Sequence, residues 1–157
     1  MDVKDLAFVE SHFVRVMFYP DAWDNAQNLA LVWESVDFPP SPRSLIPHES
    51  GVYAFIVEPS LFSLEPANGL FYIGKATDLY NRIGAYIGET NKAFSDSTRP
   101  HIWRMLNQWS GRFKYYYTTT DNVEMAEQLE DEMLKALRPP FNRQYEASTS
   151  QVMRAFL

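Results

Sequence analysis

The 157-residue chain is 46% hydrophobic and 22% charged, with a net charge of −6, a composition that supports one packed domain. It has no cysteine, which excludes disulfides, thiolate chemistry and cysteine-ligated zinc. No run of about 18 apolar residues occurs, and the early acidic groups of MDVKDLAFVESHF leave no apolar signal-peptide core, so a cytoplasmic protein without membrane contact is expected.

Residues 1–45 read as an N-terminal extension, too short for a core of its own, that packs on the rest of the chain or meets a protein partner or a second copy. Within it, residues 6–18 read as helical or mixed, and NAQNLALVWESV (25–36) reads as a helix. The four prolines of DFPPSPRSLIPHES mark an irregular connector and a boundary. The domain proper is expected over 46–145, with 146–157 as a tail.

From Gly51 the signals sharpen. GVYAFIV is β-branched and aromatic on both faces, the pattern of a central strand. GLFYIG, beyond a loop containing Pro59, Pro66 and Asn68-Gly69, is a second strand that pairs with it most simply as a hairpin. Thr77 or Asp78 can cap the next helix, along which Leu79, Ile83, Tyr86 and Ile87 fall at helical spacing. Pro100 opens another helix that Gly111 closes. RFKYYYTTT is a strand, and a last helix runs from about Asn122 to Leu137, stopped by Pro139-Pro140. The expected fold is α+β: a small, mostly antiparallel sheet of about three strands, flanked by helices.

Charge is unevenly spread. Residues 75–114 hold seven basic groups against three acidic ones, or +4 in a chain of −6. Two polar residues also fall on apolar stripes. Glu130 lies one turn from Ala126 and from Leu134 on the last helix, where a carboxylate needs a cation, a hydrogen bond or a cleft. Arg82 borders the stripe of its own helix, where it could snorkel, pair with a carboxylate such as Glu130, or serve a site.

The order and spacing of these elements resemble the GIY-YIG nuclease family: GVY at 51–53, YIGKATDLYNR at 72–82, LE at 129–130 and PPFN at 139–142. Arg82 follows Tyr72 by ten residues and Glu130 precedes Asn142 by twelve, both family spacings. The resemblance implies a hydrolytic endonuclease cutting phosphodiester bonds in DNA, with RNA as the other candidate substrate, using one Mg²⁺ or Mn²⁺. It carries Glu130 over as the metal ligand and Arg82 as the phosphate-binding arginine. Tyr53 is the expected general base, with Tyr72 orienting water or phosphate, or the two exchanged. Lys75 is expected to supply the cation that makes a phenolate accessible, since free tyrosine titrates near 10. Tyr86 would touch phosphate, Asn142 would fix the geometry, and Gly74 would allow close backbone approach.

Tyr72 follows Tyr53 by nineteen residues, which implies an enlarged hairpin loop. The acidity of the chain and the absence of an appended recognition module support a second reading, a GIY-YIG-fold binding or assembly module with little intrinsic cleavage that acts with a partner.

Overall fold

The computed structural model describes residues 20–26, 29–58, 62 and 69–142. The segment read as helical or mixed at 6–18 and the tail at 146–157 lie outside the described residues. Helix α1 (Pro20–Asn25) precedes strand β1 (Glu34–Asp37). A 3-10 turn at Arg43–Leu45 leads to β2 (Gly51–Val57), β3 (Gly69–Ala76) and helix α2 (Leu79–Thr90). Then come α3 (Pro100–Gln108), β4 (Phe113–Thr119) and α4 (Val123–Leu137).

The sheet has four antiparallel strands in the order β1-β4-β2-β3. β2 is central, and its alternating side chains serve two cores. Tyr53 and Phe55 face Leu79, Ile83, Tyr86, Ile102, Met105 and Leu106 of α2 and α3. Val52 and Ala54 face Ala126, Leu129 and Leu134 of α4. Period-two alternation in a strand covered on both sides explains why GVYAFIV contains no polar face.

Local chemistry sets the helix ends. The Asp78 carboxylate accepts from the Asn81 N–H at 2.8 Å and meets His48 Nδ1 at 2.9 Å, so Asp78 rather than Thr77 caps α2. Asn122 caps α4 by accepting from the Met125 N–H at 2.8 Å, and Arg138, at φ 42°, ends it in the left-handed region. Pro100 stands in the first turn of α3, where its missing N–H costs nothing.

Two expectations are corrected. The sheet has a fourth strand, supplied by the stretch read as an extension. Residues 25–36 also do not form the expected helix. Asn25 ends α1, 29–33 have no regular structure, and 34–37 pair with Tyr117 to Lys114 of β4. Leu31 and Trp33 pack on the α4 core while Val32 between them is 80% exposed. That is alternation rather than helical recurrence, and strand pairing with β4 outweighs local helix propensity.

The connector after β1 is also tied down. Phe38 and Ile46 are buried in the main core. The Arg43 guanidinium donates to the Tyr80 carbonyl at 2.6 and 3.2 Å, lies 3.9 Å from the Tyr80 ring centre, and fills the space above Gly84, where a Cβ would collide with it.

Candidate active site

The outer edge of β3 organises the site. Antiparallel pairing sets Tyr53 opposite Gly74 and Phe55 opposite Tyr72 on the α2/α3 side, and Val52 opposite Lys75 on the α4 side. The ring of Tyr53 therefore lies across Gly74. A Cβ at position 74 would run into the Tyr53 phenol, so the close approach expected of Gly74 is made by a side chain.

On the α2/α3 side, four tyrosines cluster. Tyr53 stacks on Tyr115 at 5.4 Å and on Tyr72 at 6.2 Å between ring centres. Its hydroxyl shares a 2.8 Å hydrogen bond with that of Tyr86, and both residues are only 1% exposed. Burial first, then the phenols of Tyr86 and Tyr72, push the Tyr53 pKa well up, while Arg82 pulls it down. The Tyr115 hydroxyl, equally buried, has no hydrogen-bond partner among the described residues. Tyr72 is only half-buried. Burial, then Tyr86, raise its pKa too; the Arg99 cation works in the opposite direction and the nearby Glu130 carboxylate adds to the rise.

On the α4 side, Glu130 keeps 13% of its side-chain surface exposed, with Lys75 Nζ 3.9 Å away. Lys75 leans instead to Glu127, at 2.7 Å. Burial lifts the Glu130 pKa, against the charge of Lys75, the Lys75 backbone N–H and Arg82. Arg82 projects from α2 as an exposed residue, and its charge acts on Tyr53, Tyr115 and Glu130. Tyr53, Tyr72, Arg82, Tyr86 and Glu130 thus gather about one strand edge.

Lys75 is directed elsewhere than expected. Three residues from Tyr72 on a strand, it stands on the opposite face, and its ammonium pairs with carboxylates. The cations that act on the tyrosines are Arg82 and Arg99. Arg99, which sequence reasoning did not single out, holds its guanidinium 5.4 Å from the Tyr86 ring centre.

Asn142 clamps the strand. Its Oδ1 accepts from the Ile73 N–H at 2.9 Å and its Nδ2 donates to the Ile73 carbonyl at 2.6 Å. The Phe141 N–H donates to the Phe71 carbonyl at 3.1 Å. The residue between Tyr72 and Gly74 is thereby held from outside the sheet.

The donor set can be tested against a metal ion. Among the described residues no group of three His, Cys, Asp or Glu side chains converges as a metal cage. Glu130 alone is a half-buried carboxylate whose charge is penalised by burial and whose nearest ammonium prefers another partner. That suits a hard cation that keeps most of its waters and takes further oxygens from substrate.

Residues 49–143 match the family model described as the UvrC-like GIY-YIG domain, and the chain belongs to that family. UvrABC system protein C of Helicobacter hepaticus is 30% identical over 99 residues, covering 62% of this chain and 14% of the relative. The same protein of Synechococcus sp. strain JA-3-3Ab is 30% identical over 95 residues, again 14% of its length. The chain therefore spans about one-seventh of the curated relatives it matches. Among solved structures, the GIY-YIG N-terminal endonuclease domain of Thermotoga maritima UvrC, bound to its catalytic magnesium, aligns at a TM-score of 0.45. Its identity is 24%, over 65% of this chain and 92% of that one. No helix among the described residues is long and apolar enough to cross a membrane.

Proposed function

We propose that the chain is a divalent-metal-dependent endonuclease that hydrolyses phosphodiester bonds in DNA, with the nuclease unit spanning 46–145. The observation that carries the proposal is the convergence of Tyr72, Arg82 and Glu130 on the outer edge of β3. A carboxylate, a guanidinium and a partly open phenol are the groups that metal-assisted attack of water on a phosphate requires.

Glu130 would hold one Mg²⁺ or Mn²⁺. Such an ion, when bound, supplies positive charge beside the phosphate and the departing oxygen and lowers the cost of forming a nearby phenolate. Arg82, with no ion-pair partner among the described residues, would present its planar donor fork to a non-bridging phosphate oxygen.

Burial favours the second of the two arrangements open for the tyrosines, with Tyr72 as the base. Tyr53 is sealed beneath its neighbours with its hydroxyl occupied by Tyr86, and a base must reach the proton it removes. Tyr72 has the access, so its phenolate, once the hydroxyl proton has left to solvent, would take the proton from water as the water oxygen bonds to phosphorus and the P–O3′ bond breaks. Tyr53 and Tyr86 orient Tyr72 from below, and Asn142 holds its strand. The Lys75 backbone N–H supports the Glu130 carboxylate.

The test is cleavage of a panel of linear, branched and single-stranded DNA and RNA with Mg²⁺ or Mn²⁺, using wild type, Glu130→Ala and Arg82→Ala. Metal-dependent DNA cutting that both substitutions abolish is the expected result. Cutting of RNA alone would move the substrate assignment. No cutting of any substrate, or cutting that survives Glu130→Ala, would overturn the nuclease reading in favour of a binding module.

A further inference from the structure

The basic stretch 75–114 holds seven cations, and most are already engaged. Lys75 pairs with Glu127, Lys92 with Glu89 at 2.8 Å, and Lys114 with Glu58 at 3.6 Å. Arg104 donates to Gln108 at 3.0 Å. Of the remaining three, Arg112 precedes β4, whereas Arg82 and Arg99 act on the same cluster of phenols. Neither has an ion-pair partner among the described residues.

The seat of Arg99 is built around one buried carboxylate. Glu89, near the end of α2, is 6% exposed and takes a hydrogen bond from Lys92 Nζ at 2.8 Å and another from the Ser97 hydroxyl. The Ser97 oxygen accepts in turn from the Arg99 N–H at 3.1 Å, and the Arg99 carbonyl accepts from the Trp103 N–H at 3.0 Å. Trp103 Nε1 also donates to the Lys92 carbonyl at 2.9 Å. The α2–α3 connector is therefore clasped at both ends, and the clasp delivers a half-buried guanidinium to the Tyr86 ring. The guanidinium bonds to the Tyr86 hydroxyl and its charge is felt by Glu89, but no carboxylate pairs with it directly among the described residues, so its remaining donors are available to an anion that arrives from outside.

We propose that Arg99 binds a backbone phosphate of the substrate adjoining the one held by Arg82, so that the two guanidiniums read successive phosphates along one strand. The proposal rests on the phosphodiester substrate of the preceding reading. It also gives an acidic chain a local means of holding a polyanion, since affinity for a phosphate backbone comes from individual contacts rather than from net charge.

The test measures binding separately from cleavage. A fluorescein-labelled DNA duplex with a single-stranded flap is titrated with the full chain in EDTA, by anisotropy, across a KCl series. Arg99→Ala is expected to weaken binding roughly tenfold and to lower the slope of log affinity against log salt by about one, while Arg99→Lys keeps the slope. In Mg²⁺, KM should rise in Arg99→Ala and less in Arg99→Lys. Thermal denaturation monitors folding, and where Arg99→Ala is unstable the comparison passes to Arg99→Gln against Arg99→Lys. Equal slopes for those two, or an unaltered slope in a folded Arg99→Ala, would overturn the proposal. A wild type that binds with the Arg99-dependent slope yet never cleaves would sink the nuclease reading and leave this one supported. A wild type that cleaves while its slope ignores Arg99 does the reverse.

Discussion

The hydroxyls of Tyr53 and Tyr86 share a 2.8 Å hydrogen bond where each residue is 1% exposed. A phenol so placed can exchange a proton with its neighbour but not with a water attacking from the cleft. Tyr53→Phe should therefore cost about 1 kcal/mol of stability, the usual value of one hydrogen bond, and slow single-turnover cleavage less than about tenfold. Tyr72→Phe removes the proposed base and should lower the rate by roughly 10²–10⁴. Equal losses in the two variants would return the base role to Tyr53.

Asn142 is expected to behave as a structural determinant of the site. Asn142→Ala leaves the N–H and carbonyl of Ile73 without their present partner, at roughly 1–3 kcal/mol for each buried group left unsatisfied. The midpoint in urea should fall accordingly, with kcat falling alongside because Tyr72 loses its mooring. Asn142→Asp keeps an acceptor for the Ile73 N–H but sets a carboxylate oxygen against the Ile73 carbonyl, so it should be no better than alanine. Full stability in either variant would show that the clamp is dispensable.

Gly74→Ala provides a steric test of the Tyr53 assignment. The new methyl meets the Tyr53 ring, and a crowded core typically loses about 1–3 kcal/mol. The double variant Gly74→Ala/Tyr53→Leu removes the clash and should recover part of that loss, as coupled neighbours do. Strictly additive losses would mean that the ring does not lie over residue 74.

Glu89 gives a pH signature. Burial works against its charge, but hydrogen bonds from Lys92 and Ser97 hold its pKa below the usual 4.5. With the folded value depressed, the group's contribution to stability is present above the unfolded pKa and is lost as pH falls through the folded one. The Tm advantage of wild type over Glu89→Gln should be largest near neutrality and close as pH drops below about 4.5. An advantage that persists unchanged at strongly acidic pH would mean that the Glu89 charge is not what holds the connector.

How much of this was legible in the sequence depended on whether the signal was local. β2, β3, β4 and the three later helices follow from apolar periodicity and from Asp78, Asn122, Pro100 and Pro139, each acting within a turn of its own position. β1 was not legible as a strand, because NAQNLALVWESV sets Leu29, Val32, Trp33 and Val36 at helical spacing, and only the pairing of 34–37 with β4 selects a strand. The motif led to the expectation that Tyr53, Tyr72, Arg82 and Glu130 share one cleft, without any knowledge of the fold. The misplaced role of Lys75 was recoverable from parity alone, since three steps along a strand reverse the face. Arg99 was not recoverable, because its position depends on a connector folded by Glu89 and Ser97, with no periodicity to betray it.

The clamp on Ile73 also bears on how copies of this chain behave toward one another. β3 is an outer strand, and a bare row of peptide groups there would invite a neighbouring molecule to add its own strand. Phe141 covers the Phe71 carbonyl, Asn142 covers both groups of Ile73, and Glu130 faces the N–H of Lys75. The residues that shape the candidate site's edge therefore also insulate it from intermolecular zippering. Loss of the segment 139–142 would unmask an adhesive border, and aggregation would follow from the same lesion that silences the site.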